Sequence, residues 1–141
     1  MKAFILLATL TGFAMFAAQS TESPKVEVKK VPAPRTKASS GAQMYKEYCS
    51  ACHGLNGMGN GPATPALKMP PSDLTQLKAK NDGKFPHEKV SQILRGNDVV
   101  AHGSSDMPTW GPIFHQLDNG DRSIDEIRVH NLAKYLESIQ K

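Results

Sequence analysis

The chain has 141 residues, of which 39% are hydrophobic, and its 17 basic and 13 acidic side chains give a formal net charge of +4. This length fits one ordinary domain, and residues 41–141 hold equal numbers of basic and acidic side chains, which argues against nucleic-acid binding. Leu, Ile, Val and Phe make up only 19 of the residues in that range. A core this lean is expected to need a disulfide, a metal or a cofactor.

The first twenty residues predict a secretory signal peptide. Lys2 is followed by an almost unbroken apolar run from Ala3 to Ala18, and residues 18–20 fit a small-x-small cleavage site. A retained membrane anchor is the alternative, although this run would extend only about 24 Å as a helix against a hydrocarbon core of about 30 Å. In both cases the rest of the chain is exported, most simply into a periplasm.

Residues 21–40 are predicted to form a flexible tether. They contain three prolines, five basic side chains and no apolar periodicity, so they cannot bury enough surface to offset the entropy of ordering. Their positive charge allows a weak association with an anionic membrane surface, although simple solvation also explains it. The folded domain is therefore expected to cover residues 41–141.

Helical patterns, capping boxes and stop signals occur along this domain, and no strand alternation is found. The predicted helices are residues 41–51, capped by Ser40; residues 74–80, begun by Asp73; residues 86–95, stopped by Gly96; and a last helix that follows a capping box at Ser123. The domain is thus expected to be all-α.

The only two cysteines, Cys49 and Cys52, are followed directly by His53. A C-x-x-C pair also occurs in thioredoxin-like redox sites and in zinc sites, but no strand precedes Cys49 and no second pair of ligands has zinc spacing. The sequence C-x-x-C-H is typical of covalent haem attachment. Two cysteines three residues apart share one helix face, so both can bond the vinyl groups of one haem while His53 binds its iron.

With the motif CSACHG, the chain resembles the class I c-type cytochromes over most of residues 41–141. The resemblance implies a small cytochrome c fold of three to five helices wrapped around one covalently bound haem c. It also implies that the first and last helices cross, with Gly41 and Tyr45 on one against Leu132 and Tyr135 on the other.

The resemblance also implies a hydrogen-bond partner for the imidazole of His53. In the family a proline of the following loop offers its backbone carbonyl to that imidazole, which fixes the tautomer and raises the basicity of the ligand. Pro62 is the best match to this proline, and Pro65 is the alternative.

Met107 is expected to be the second axial ligand. It lies 54 residues after His53, in a Met-Pro-x-x-Gly segment beyond the middle helix, which resembles the distal-ligand loop of the family. His102, in the same loop, is the main competitor. Trp110 is expected to wall the haem and to be able to donate its indole N–H to a propionate.

These residues predict an electron carrier rather than an enzyme. Iron held by His53 and Met107 has no open coordination site, so one-electron transfer to and from redox protein partners is the expected activity. One alternative is a haem-containing subunit of a specific dehydrogenase or oxidase complex. The other is a ligand-binding or peroxidase-like haem protein in which Met107 does not hold the iron.

Overall fold

The computed structural model describes residues 31–96 and 107–141, and within these ranges all regular structure is helical. The predicted all-α fold is confirmed. The α-helices are α1 (Gly41–Met44), α2 (Ser50–His53), α3 (His87–Arg95), α4 (Trp110–Leu117) and α5 (Arg122–Ser138). The predicted signal peptide, the first part of the tether and His102 lie outside the described residues. No helix in the described ranges is long and apolar enough to cross a membrane.

The first predicted helix is one continuous rod with a π-helical turn in its middle. The π turn, Tyr45–Cys49, joins α1 to α2, and the amide of Ser50 donates to the carbonyl of Tyr45 five residues earlier. The side chain of Ser40 accepts from the amide of Gln43, so the predicted N-terminal cap is confirmed. Single π turns inside α-helices occur frequently at functional sites.

The middle of the chain agrees with its helical prediction in part. The helix α3 begins after Pro86 and ends at Gly96, whose left-handed backbone stops it as expected. Asp73 caps a much shorter element than predicted, because the 3₁₀ turn Leu74–Gln76 is followed only by turns.

The helix α4 was not predicted, because it contains Gly111 and Pro112, and a glycine next to a proline is typical of a loop. Both fall in its first turn, where a proline is tolerated because the N–H that it lacks has no helical partner. Gly111 also lets α4 approach α3 closely, since a Cβ there would lie 2.2 Å from the carbonyl oxygen of Arg95. For α5 the observed cap is Asp121 and not Ser123, since the Asp121 side chain accepts from the Ser123 amide.

The first and last helices cross as the family resemblance implied. Gly41 lies where a Cβ would come within 2.1 Å of the carbonyl oxygen of Asn131, and the rings of Tyr45 and Tyr135 lie 5.1 Å apart. Leu132 is fully buried beside this crossing. The core holds twelve buried apolar side chains from the first helix, α3, α4 and α5.

The folded part of the chain extends upstream of Gly41. Thr36 is buried, and its hydroxyl lies 2.8 Å from that of Tyr48 and accepts from the guanidinium of Arg128. The carbonyl of Pro34 accepts from Tyr48, and that of Ala38 accepts from α5. Residues 34–38 are therefore an N-terminal strap packed on the helices, so the flexible tether cannot extend to residue 40.

Candidate functional site

The three residues of the C-x-x-C-H motif stand at the C-terminal end of the first helix. Cys49 closes the π turn and is buried, Cys52 is half-buried, and His53 is the last residue of α2. No disulfide joins Cys49 to Cys52. Before a haem is attached, burial, with a smaller contribution from Cys52, raises the pKa of the Cys49 thiol to about 12.

The loop after His53 folds back and satisfies the last carbonyl groups of the helix, which have no helical partners. Three loop amides donate to three consecutive carbonyls at distances of 2.9 to 3.0 Å. The donor and acceptor pairs are Ala63 to Ala51, Gly61 to Cys52, and Gly59 to His53. The hydroxyl of Thr64 also donates to the Cys52 carbonyl. The motif is thus held by its own following loop.

Tyr45 ties the start of this loop to the helix interior. Its hydroxyl donates to the carbonyl of Gly54, the residue directly after His53, over 2.6 Å, and its side chain is almost completely buried. Burial is also the main reason that the pKa of Tyr45 is raised well above its ordinary value, so the hydroxyl remains a donor. The orientation of Gly54, and with it the end of α2, therefore depends on a side chain four residues before Cys49.

The imidazole of His53 is oriented by a carbonyl other than the predicted one. Its Nδ1 atom lies 3.1 Å from the carbonyl oxygen of Ser72. Since a carbonyl only accepts, Nδ1 carries the proton and Nε2 is the nitrogen suited to a metal. The expected acceptor, Pro62, is exposed in the preceding loop, and Pro65 is exposed as well. The carbonyl of Ser72 therefore occupies the position that the family resemblance implied for that of Pro62 or Pro65.

Met107 lies three residues before α4, and Trp110 is the first residue of that helix. Met107 is half-buried and packs against the core cluster. Trp110 is buried, and its ring stacks on that of Tyr48 with centroids 5.1 Å apart and on that of Phe114 at 5.9 Å. Because Tyr48 directly precedes Cys49, this aromatic stack joins α4 to the helix that carries the cysteines. The competitor of Met107, His102, lies outside the described residues.

A concave region of about 480 Å³ lies elsewhere on the surface, between α3, α4 and α5. His115 lines it, and its Nδ1 atom is 2.7 Å from a carboxylate oxygen of Asp125. No residue of the C-x-x-C-H motif lines this region. We place the functional site at the motif, because Cys49, Cys52 and His53 together can bind a haem, whereas no cysteine lines the concave region.

The residues at the motif fit a haem c. Two thiols at i and i+3 near the end of one helix can form two thioethers on one side of a porphyrin. His53 presents the correct tautomer for iron through the Ser72 carbonyl. Within the described ranges no cluster of three or more His, Cys, Asp or Glu side chains could hold a bare metal ion.

Comparison with protein families identifies one match over most of the domain. The model of the family described as "Cytochrome C oxidase, cbb3-type, subunit III" matches residues 36–136. The match begins at Thr36, inside the N-terminal strap, which agrees with the upstream start of the folded part. Comparisons with curated proteins and with solved structures find no match.

Proposed function

Because the chain belongs to the family of cbb3-type cytochrome c oxidase subunit III, and so is a monohaem c-type cytochrome with covalent haem c, we propose that it is an exported carrier of single electrons with histidine and methionine ligation. The observation that carries this proposal is the C-x-x-C-H motif at the end of a helix whose histidine is already oriented by the Ser72 carbonyl. The family domain itself indicates haem-based electron transfer.

Each residue at the site has a distinct task in this proposal. When bound, haem c supplies an iron that changes oxidation state by one electron. Cys49 and Cys52 would hold the porphyrin through thioethers, and His53 would bind the iron through Nε2. The Ser72 carbonyl keeps the proton of His53 on Nδ1, and the loop amides fix the position of the helix end.

Met107 is proposed as the second axial ligand. It is half-buried at the core edge, next to the approach to α4, and Pro108 after it restricts its backbone to extended conformations. A thioether ligand favours ferrous iron and therefore raises the reduction potential. If His53 and Met107 both hold the iron, no coordination site would remain open for oxygen or peroxide, and a carrier would be favoured over a peroxidase-like protein.

Export to the periplasm is proposed from the N-terminal sequence. The apolar run of residues 3–18 after Lys2 would direct the chain out of the cytoplasm, either as a cleaved signal or as a retained anchor. Haem attachment through two cysteines is compatible with that location. In either form the strap of residues 34–38 would separate the tether from the folded domain.

A second candidate function is a dedicated subunit of an oxidase complex. The description of the matching family favours it, since it names a subunit of a cbb3-type cytochrome c oxidase. In that case the partner would be one enzyme that stays bound, whereas a carrier would exchange between donor and acceptor proteins. A tether would favour either arrangement, because it raises the effective concentration of the domain near a membrane-bound partner.

Spectroscopy of the exported protein tests the proposal. The pyridine haemochrome should report a haem with two thioether bonds, and the ferric protein should show the weak far-red band of a sulfur ligand. Rapid binding of cyanide or carbon monoxide by the native protein would contradict it, because an open coordination site would then exist. Purification under mild conditions separates the two candidates, since only a subunit would remain with an oxidase in a fixed ratio.

A further inference from the structure

The N-terminal strap is joined to the first helix through the side chain of Tyr48. The Tyr48 hydroxyl donates to the carbonyl of Pro34 over 2.7 Å and lies 2.8 Å from the hydroxyl of Thr36. Because Tyr48 donates its one proton to Pro34, the Thr36 hydroxyl is the donor to Tyr48, and it accepts in turn from the guanidinium of Arg128. Tyr48 and Thr36 are both buried. The strap therefore orients the ring of Tyr48.

A buried ion pair holds the Thr36 hydroxyl in its place. Arg128 donates to Thr36 over 3.0 Å and contacts the two carboxylate oxygens of Asp118 at 2.5 and 2.7 Å. The side chains of Arg128 and Asp118 are only 5% and 7% exposed. A buried polar group that loses its partner carries the full cost of its desolvation, so the network favours the arrangement in which every member is paired. In that arrangement the strap is docked on Tyr48.

The ring of Tyr48 also contacts the start of α4. It stacks on the ring of Trp110, with centroids 5.1 Å apart and an angle of 30° between the ring planes. Trp110 is buried, is the first residue of α4 and lies three residues after Met107. The Tyr48 ring therefore lies between the strap and the segment that carries Met107.

The same segment is held from the end of α3. A Cβ on Gly96, the residue that stops α3, would lie 2.1 Å from the Cγ2 atom of Thr109. Thr109 is thus packed on α3, and the next residue, Trp110, is packed on Tyr48. Met107 lies only two residues before Thr109 and packs against the core cluster. Its position therefore depends on these two neighbouring contacts.

We propose that the N-terminal strap positions Met107 as the second axial ligand, through the hydrogen bonds of Tyr48 and its stack on Trp110. The inference rests on the proposed function, since it takes Met107 as the ligand, and it adds the regulation of that site. Thr36 and Tyr48 are positioning residues, because they act on the iron only through Met107. When the hydrogen bonds between the strap and Tyr48 are lost, the segment loosens and the Met107 thioether dissociates more often.

Cyanide reports this dissociation. When His53 and Met107 both hold the iron, cyanide binds only in the fraction of molecules in which the Met107 bond is open, so the rate of binding follows that fraction. Removal of one hydrogen bond from the buried network that closes the segment should raise the open fraction about tenfold. A strap that stabilises only the fold as a whole would lower the free energy of unfolding and leave the cyanide rate unchanged.

The first test compares two buried threonines in the ferric holoprotein. Thr36→Val removes the strap hydroxyl and keeps the shape of the side chain. Thr75→Val is the matched control, because Thr75 is 1% exposed and its hydroxyl donates to Asp73 over 2.7 Å, away from the strap network. Stopped-flow mixing should show cyanide binding about tenfold faster in Thr36→Val and unchanged in Thr75→Val. The weak far-red band of the sulfur ligand should decrease only in Thr36→Val.

Urea unfolding of both holoproteins separates positioning from stability. If the two variants lose similar free energies of unfolding, the difference in cyanide rate comes from Met107 and not from a weaker fold. Equal cyanide rates in Thr36→Val and Thr75→Val would overturn the role of the strap.

A second variant tests the route through Tyr48. Tyr48→Phe keeps the stacked ring and removes both hydrogen bonds to the strap, so it should also bind cyanide about tenfold faster. The double variant Thr36→Val/Tyr48→Phe should be no faster than the faster single variant, because both changes break the same link. A double variant in which the two effects multiply would contradict this route, since the residues would then act independently.

The outcomes separate failure of the strap from failure of the proposed function. Met107→Leu, which has no thioether, should lack the far-red band and give the upper limit of the cyanide rate. If the wild type already lacks the band and binds cyanide as fast as Met107→Leu, Met107 is not the ligand and both proposals fall. If the wild type has the band and binds cyanide slowly, but Thr36→Val and Tyr48→Phe behave as the wild type does, the carrier function stands and the role of the strap is wrong.

Discussion

The Nδ1 atom of His53 lies 3.1 Å from the carbonyl oxygen of Ser72, which is 19 residues further along the chain. The segment that carries Ser72 is held against the loop after the motif by a hydrogen bond from Leu74 to Gly57 and by the close approach of Gly59 to Pro71. The hydrogen bond that orients the imidazole of His53 therefore depends on the packing of these two loops on each other.

The first prediction concerns the loop contact that places the Ser72 carbonyl. A Gly59→Ala Cβ would lie 2.3 Å from the Pro71 carbonyl oxygen and would push the Ser72 carbonyl away from His53. A weaker bond to Nδ1 makes the imidazole a poorer electron donor, so ferric iron is less stabilised and the reduction potential rises. We expect a rise of about 60 mV, which corresponds to a tenfold change for one electron. Redox titration of the holoprotein measures it.

Gly83→Ala is the matched control for this prediction. Gly83 has φ of +76° and Gly59 has φ of +78°, so an alanine is equally strained at both, but a Cβ at Gly83 meets nothing within 4 Å. Gly83→Ala should lose stability and keep the wild-type potential. An equal rise in both variants would show that backbone strain, and not the Ser72 carbonyl, controls the potential.

The second prediction concerns the covalent bonds to haem. The variant Cys49→Ala/Cys52→Ala should carry no haem that survives acid–acetone extraction, and its circular dichroism should show a loss of helix, because the lean apolar core loses its largest apolar component. Ser50→Ala, between the two cysteines, removes only the hydrogen bond from the Ser50 hydroxyl to the Lys46 carbonyl and should bind haem normally. A colourless double variant that is as helical and as stable as the wild type would refute the role of haem in the fold.

The third prediction compares a buried ion pair with an exposed one. Arg128 and Asp118 have side chains only 5% and 7% exposed, and two guanidinium nitrogens contact the two carboxylate oxygens. Asp118→Ala leaves the Arg128 charge buried without its carboxylate, so the free energy of unfolding should fall by about 3–5 kcal/mol. Urea denaturation of the holoprotein gives the value.

The exposed pair provides the comparison. Arg95 and Glu126 also form two hydrogen bonds, but their side chains are 33% and 58% exposed. Glu126→Ala should lower the free energy of unfolding by less than about 1 kcal/mol, because water screens the pair. Similar losses in the two variants would mean that burial does not decide the contribution of these pairs.

The haem-attachment motif and several helix ends could be recognised in the sequence. The structure of the loops around the motif could not. Ser40, Asp73 and Gly96 carry local capping chemistry that marks the start or the end of their elements, although Asp73 begins a 3₁₀ turn and not the predicted helix. The crossing of the first and last helices was implied by the family resemblance through Gly41 and Tyr135. The axial role of Met107 remains a proposal.

Other features depend on contacts between distant segments and have no local pattern. The helix α4 begins at Trp110 despite Gly111, because that glycine allows the close approach to Arg95. Ser72 replaced Pro62 as the acceptor because the fold of the loop decides which carbonyl faces the imidazole. The strap around Thr36 is polar and has prolines close by, so its composition predicted a tether. In the structure the Thr36 hydroxyl completes a buried network with Tyr48 and Arg128.

The fourth prediction concerns Tyr45. Removal of its hydroxyl in Tyr45→Phe leaves the Gly54 carbonyl without its 2.6 Å partner, and we expect a loss of about 1–3 kcal/mol in the free energy of unfolding. The control Tyr135→Phe also keeps an aromatic ring in the 5.1 Å pair but leaves the bond to Gly54 intact. Because Gly54 follows His53, Tyr45→Phe should also shift the reduction potential, and Tyr135→Phe should not. A potential unchanged in Tyr45→Phe would mean that this hydroxyl stabilises the fold only.

The last prediction is a pH dependence that arises at the start of α5. Hydrogen bonds from the hydroxyl and the amide of Ser123 lower the pKa of the Asp121 carboxyl. A carboxyl whose pKa is lower in the folded state stabilises the protein above its unfolded pKa of about 3.9, and that stabilisation is lost as the pH falls through the folded pKa. The melting temperature of Asp121→Asn, which keeps a capping side chain but does not titrate, should therefore fall less steeply than that of the wild type below about pH 4. Asp121→Ala, which has no cap at any pH, should melt at a lower temperature than both at pH 7. If the melting temperature of the wild type falls no more steeply below about pH 4 than that of Asp121→Asn, this carboxyl is not a source of acid sensitivity.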